Sequence, residues 1–204
     1  MLYNFKILIF IIFFLLLSCK STKKEKSFKN FAIVSAKVEA SKAGHKILKM
    51  GGNAFDAMIA TDLALAVVYP NAGNLGGGGF MVYRQKNGEN GSLDFREKAP
   101  INAYKNMYLN DEGNVVKNSS NEGALSIGIP GTIAGLFEVY KKFGTLPIDS
   151  LFEPALSLAK NGFPLTNKQA KLFNLNKNKI LKNSDSINLF NKDFKTNMIF
   201  KNKP

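Results

Sequence analysis

Two linked stretches decide the reading of this chain: Asn74-Leu75-Gly76-Gly77-Gly78-Gly79-Phe80-Met81 and Asp94-Phe95-Arg96-Glu97-Lys98-Ala99-Pro100. Four consecutive glycines lose a large amount of backbone freedom on folding, so a folded protein keeps them where main chain must pass close to something else. A phosphate-cradling loop is excluded, because Gly79 is followed by Phe80 and Met81 and not by the Lys-Ser or Lys-Thr that reaches phosphate and magnesium. Phe80 to Arg84 and Ser92 to Phe95 are short strand-like runs joined through Asn87-Gly88-Glu89-Asn90-Gly91, the pattern of a hairpin. Its second strand delivers Arg96 between two acids. A planar guanidinium clamps a carboxylate through two parallel charge-assisted hydrogen bonds, which lysine cannot do. The competing assignment is a local ion pair with Asp94 or Glu97.

Working outward, Phe31-Ala32-Ile33-Val34-Ser35 has the apolar, partly β-branched character of a short buried strand. From Ala40 to Met50 the apolar positions fall at helical spacing, and Gly51-Gly52 supplies a left-handed stop. Asn53 reads as the N-cap of a second helix, Ala54 to Val68, with Asp56 beside its donor end and Pro70 closing it. That helix is polar only at Asp56, Thr61 and Asp62. A helix apolar on nearly every side must be buried, here between a sheet and other structure. Downstream, Asn110 to Asn114 is a turn and Leu125 to Ile129 a short apolar segment. Helices are predicted over Ile133–Phe143, Ile148–Lys160 and Lys168–Leu181. Pro130-Gly131-Thr132 opens the first of these, and its N–H groups suit either an anion or an ordinary helix start.

The 204 residues are 45% hydrophobic and 11% aromatic, enough for one medium domain with its own core. The net charge of +13 is concentrated at the ends. Residues 1–30 carry six Lys against one Glu, residues 31–160 thirteen Lys or Arg against twelve acids, and residues 161–204 nine Lys against two Asp. The centre is nearly neutral and Trp is absent, so a nucleic-acid partner is not indicated. His45, the sole histidine, stands among lysines on a helix flank, a place for a solvent-exposed side chain and not for a triad or metal site.

At the N-terminus Lys6 precedes eleven apolar residues, Ile7 to Leu17, a run too short for a membrane span of about 20 residues and suited to a signal-peptide core. Leu16-Leu17-Ser18-Cys19 resembles a bacterial lipobox, in which the cysteine is lipidated and becomes the new N-terminus. The alternative is an ordinary secretory signal or uncleaved anchor with an incidental cysteine. Cys19 is the only cysteine, so no intramolecular disulfide forms. This reading gives residues 1–18 as a signal peptide with a lipobox and residues 19–30 as a polar tether. On the lipobox reading the product is expected to be exported and held on a bacterial membrane by lipid, facing the periplasm or cell exterior.

Four motifs in one order carry a family resemblance: Gly51-Gly52-Asn53-Ala54-Phe55-Asp56-Ala57, Asn71 to Met81, Asp94 to Pro100, and Gly128-Ile129-Pro130-Gly131-Thr132-Ile133-Ala134-Gly135. Together they resemble the N-terminal part of the large subunit of gamma-glutamyltranspeptidases, over residues 31–204 and less closely after Asn161. The resemblance implies an α+β, N-terminal nucleophile hydrolase-like αββα sandwich, incomplete in this chain. It implies γ-glutamyl transfer or hydrolysis on glutathione and related γ-glutamyl amides, with water, an amino acid or a short peptide as acceptor. No metal or organic cofactor is implied. Arg96 corresponds to the arginine that binds the substrate α-carboxylate, and Glu97 is expected to support it.

The nucleophile in the family is a threonine freed by self-cleavage at the start of a small subunit, where its own α-amine acts as base. Thr22, Thr61, Thr132, Thr145, Thr166 and Thr196 are the threonines present, and none stands in such a context. No catalytic residue is therefore assigned in this chain, and it is expected to need the remainder of the large subunit and the small subunit. The ending Phe200-Lys201-Asn202-Lys203-Pro204 reads as interrupted. The alternatives are a non-catalytic lipoprotein remnant, binding γ-glutamyl compounds or nothing, and a cephalosporin-acylase-like relative; Asp94-Phe95-Arg96-Glu97 favours an amino-acid donor over an aliphatic diacid.

Overall fold

The computed structural model describes residues 30–182 and 190–201, so the expected signal peptide, Cys19 and nearly all of the tether lie outside the described residues. The chain divides into two units, Met1–Ala32 and Ile33–Pro204. In the second, helix α1 (Val38–Lys49) is followed by α2 (Ala54–Val68), strands β1 (Phe80–Arg84) and β2 (Asn90–Asp94), α3 (Thr132–Phe143), α4 (Ile148–Asn161), β3 (Phe163–Pro164), α5 (Asn167–Lys182) and β4 (Ile199–Phe200). A single 3-10 turn, Ala124–Ser126, interrupts the irregular stretch before α3.

Helix α2 has the predicted bounds because both ends are specified locally. Asn53 Oδ1 accepts the amides of Phe55 and Asp56 at 2.8 and 2.9 Å, and Asp56 Oδ2 accepts the amide of Asn53 at 3.0 Å, a reciprocal capping box. At the other end Tyr69 leaves the helical region (φ −135°, ψ 55°), as a residue preceding proline tends to do. The buried residues of α2 serve two cores. Ala64 and Val68 pack with Ala40, Phe163, Leu165 and Phe173, while Ala57, Ile59, Ala60 and Leu63 pack with Ile47, Leu136, Val139 and Leu151. That double duty is why the helix is apolar on nearly every side.

Helix α1 lies close against α2. A Cβ added to Gly44 would stand 2.2 Å from Thr61 Oγ1 and 2.9 Å from the Ala57 carbonyl oxygen. Gly51, at φ 91°, ends α1 in the left-handed conformation expected there.

The hairpin forms in antiparallel register, Phe80 opposite Asp94 and Arg84 opposite Asn90. Its second strand starts two residues earlier than the sequence predicts and stops one earlier, since the ladder follows β1 up to the turn. Met81 and Leu93 face the core, and the Tyr83 ring packs edge-on against Phe55 and tilted against Phe143, at 5.6 and 5.0 Å between ring centroids. Phe80 and Val82 on the opposite face are exposed.

The expected strand at Phe31–Ser35 does not form, because no described strand lies beside it to complete a ladder. Ile33 packs on the second core, and the Ser35 hydroxyl bonds locally to Ser41 Oγ and the Lys37 carbonyl, both at 2.7 Å. A small pairing that sequence reading missed, β3 with β4, closes over α5 and gathers Phe163, Phe173, Phe190, Phe194 and Phe200. The arrangement is α+β, with two two-stranded sheets among the described residues, a partial form of the layered fold. No described helix is long and apolar enough to cross a membrane.

Candidate functional site

Arg96 stands just beyond β2, on a backbone held from several sides. Asp94 Oδ1 accepts the Arg96 amide at 3.0 Å, an Asx-type turn that directs the chain out of the strand. Lys98 and Ile129 then exchange two main-chain hydrogen bonds, at 3.1 and 2.8 Å. The glycine run closes in from the other direction. A Cβ added to Gly78 would lie 2.6 Å from Arg96 Cα and from the Glu97 nitrogen, a distance that only a glycine permits. The sequence expectation of close main-chain packing thus has a definite partner, which is the backbone of the arginine segment itself.

Phe95 is gripped more tightly still. Its amide donates to the Gly79 carbonyl at 3.0 Å, and its ring edge is 2.8 Å from where a Cβ on Gly79 would be. An added Cβ on Gly135 would fall 2.3 Å from Phe95 Cγ, and one on Gly131 would fall 1.9 Å from the Phe95 carbonyl oxygen. The amides of Gly131 and Thr132 both donate to the Gly77 carbonyl, at 2.8 and 3.0 Å. These donors at the start of α3 are therefore engaged by the glycine run, which favours the ordinary helix start over an anion site at Pro130-Gly131-Thr132. The glycine run, the arginine segment and the start of α3 form one packed unit.

Two clefts meet at Arg96. One, of about 400 Å³, is lined by Leu93, Asp94, Phe95, Arg96, Lys98, Ile129, Pro130, Gly131, Ala134, Gly135 and Glu138. The other, of about 360 Å³, continues past Glu97 and Lys98 to Met107, Tyr108 and Ser126. The Arg96 side chain is 69% exposed, and its Nε lies 3.9 Å from Glu97 Oε2. Such an exposed pair contributes little to stability, which leaves the guanidinium's hydrogen-bonding capacity open to a ligand. Glu138, also in the lining, has its carboxyl lowered by its hydrogen bond to Lys142 at 3.0 Å. Only two of the 28 basic residues are arginines, Arg84 at the end of β1 and Arg96, so the guanidinium at 96 stands out against a lysine background.

His45 is exposed on α1. Among the described residues no group of His, Cys, Asp and Glu is placed to hold a metal ion. The hydroxyls of Thr61, Thr145 and Thr166 are committed to Ala57, Asp56 and Gln169, and no threonine lines either cleft. Sequence reading singled out Arg96, Glu97 and the glycine run but missed Phe95 and the separate roles of Gly131 and Gly135. The signal was present as glycines three and four apart across a helix start, Gly128, Gly131 and Gly135, on the face that meets the arginine segment.

The family model described as Gamma-glutamyltranspeptidase matches residues 40–202. A glutathione hydrolase proenzyme of Pseudomonas sp. (strain A14) is 51% identical over 136 residues, covering 67% of this chain and 24% of the relative. The Escherichia coli (strain K12) glutathione hydrolase proenzyme is 47% identical over 131 residues, covering 64% and 23%. The crystal structure of Helicobacter pylori gamma-glutamyltranspeptidase superposes with a TM-score of 0.81 at 45% identity, covering 87% of this chain and 52% of that one. The chain thus spans about a quarter of the length of these curated relatives and about half of the solved chain. The match takes in the helices, the hairpin and the arginine segment alike, and on that ground this chain belongs to the gamma-glutamyltranspeptidase family and carries part of its N-terminal nucleophile hydrolase fold.

Proposed function

We propose that this chain forms the donor-gripping part of an enzyme that transfers or hydrolyses the γ-glutamyl group of glutathione and related γ-glutamyl amides. Arg96 holds the glutamyl α-carboxylate in a bidentate pair, and Glu97 steadies the guanidinium from its Nε side. In a γ-glutamyl amide the α-carboxylate lies at the far end of the side chain from the scissile bond. Gripping it therefore fixes how far the γ-carbonyl reaches, which is the orientation an attacking hydroxyl requires. The threonine nucleophile, with its own α-amine as base, and the donors for the tetrahedral oxyanion belong to polypeptide outside these 204 residues. Water, an amino acid or a short peptide takes the glutamyl group.

The observation that carries this reading is the arginine's setting: a guanidinium at the meeting of two clefts, on a backbone fixed by the glycine run and the start of α3. It is tested in a chimeric proenzyme in which this chain replaces the matching segment of the Pseudomonas relative. The chimera should turn over γ-glutamyl-p-nitroanilide. Arg96→Lys should weaken donor binding by about 1.5–3 kcal/mol, the range for a hydrogen bond to a charged group. A donor KM unchanged by Arg96→Lys rules out the carboxylate role, and a chimera that neither matures nor turns over supports a non-catalytic remnant.

The same proposal places the protein on a bacterial membrane through lipid on Cys19. Radiolabelled palmitate incorporated by the full chain and lost in Cys19→Ala supports that location, and equal labelling of both removes it.

A further inference from the structure

We propose that Phe95 is a positioning residue for Arg96: its ring, seated between Gly79 and Gly135, and its carbonyl, pressed on Gly131, fix the backbone from which the guanidinium projects. The inference rests on the donor-gripping role of Arg96. The three glycines come from segments far apart in sequence, Gly79 from the turn before β1, Gly131 from the residue preceding α3 and Gly135 from the first turn of that helix. Ideal Cβ atoms at Gly79 and Gly135 would meet the ring at 2.8 and 2.3 Å, so no other residue type fits without displacing it. The backbone of Phe95 is pinned as well, its amide on the Gly79 carbonyl at 3.0 Å. Rotation about the backbone at 95 would drive the ring into α3, so the amide and Cα of the next residue are held in place. The long arginine side chain is itself exposed, and this frame is what restricts where its head can reach.

The full chain provides its own control, because it contains only two arginines. Labelling with phenylglyoxal, read by mass spectrometry, gives the Arg96 rate relative to Arg84. Gly135→Ala should change that ratio about threefold or more, because misplacement of a positioned group by about 1 Å has large effects. Phe95→Ala, which removes the ring and leaves the glycines untouched, should shift the ratio as well. No change in the ratio, or a parallel change at both arginines, overturns the proposal: the first means the ring does not set the arginine, the second that it serves the fold as a whole.

In the chimeric proenzyme, Gly135→Ala should raise donor KM about tenfold with kcat little altered, and Phe95→Ala should act in the same direction. If Arg96→Lys raises donor KM while Gly135→Ala leaves it unchanged, the positioning role fails and the donor-gripping role stands. If Arg96→Lys leaves donor KM unchanged, the donor-gripping role fails and the positioning role with it.

Discussion

The fully buried carboxylate of Asp56 accepts the backbone amide of Thr145 at 3.0 Å, from a residue 89 positions further along the chain. The same carboxylate takes the Thr145 hydroxyl and the Asn53 amide, while Asn53 Nδ2 donates to the Phe143 carbonyl at 2.6 Å. The N-cap of α2 is thereby fastened to the connection between α3 and α4. A local capping box has become a long-range tie.

Asp56→Asn should therefore cost about 2–3 kcal/mol, because an amide nitrogen would face donors that now meet a carboxylate oxygen. Asn53→Ala, which removes the cap but leaves the carboxylate, should cost about 1 kcal/mol. Urea denaturation followed by circular dichroism measures both, and equal losses would mean that the tie to Thr145 adds nothing beyond capping.

Asp62, half-buried on α2, has its carboxyl raised above the ordinary value of 3.8 by burial. An acid raised in the folded state opposes folding when ionised. That cost is fully present above its folded-state value and is relieved as pH falls through that value toward 3.8. Asp62→Asn should accordingly stabilise the chain near neutral pH, with the advantage shrinking on acidification. Melting temperatures of the two proteins across that range give the comparison, and a gap that widens on acidification would contradict the assignment.

Gly44→Ala should destabilise by about 1–3 kcal/mol, the usual range for overpacking, since its methyl would press on Thr61 Oγ1 and the Ala57 carbonyl. Adding Thr61→Ala removes the Oγ1 contact but not the clash with the Ala57 carbonyl, and should recover only part of the loss. Full recovery in the double variant would show that α1 and α2 can separate without loss.

Purified alone, the chain should release no p-nitroaniline from γ-glutamyl-p-nitroanilide, because no threonine lines the clefts at Arg96. Turnover that survives repurification would place a nucleophile within these residues.

The parts of the fold legible in the sequence were those specified by near neighbours. Helix α2 was bounded by Asn53 and Pro70, the hairpin by its Asn-Gly turn and short runs, and α3 by the Pro130-Gly131-Thr132 that opens it. What escaped depends on partners distant in sequence. Phe31–Ser35 has strand composition but no neighbouring strand among the described residues, and the β3–β4 pairing uses two residues on each side, too few for a pattern. At the site, Arg96 was singled out because the motif around it resembles the family's arginine segment; its residue type alone left a local ion pair equally open. Phe95 was passed over because a phenylalanine next to a strand looks like ordinary core until the glycines around it are seen.

Lys98 and Ile129 are joined by their own pair of main-chain bonds, and the irregular chain between them, residues 99–128, hangs from that junction as a closed excursion. Closure entropy rises slowly with length, so residues can be gained or lost along the excursion at little cost while its two feet stay where they are. The outline of the neighbouring hollow can therefore be redrawn without touching the arginine's footing.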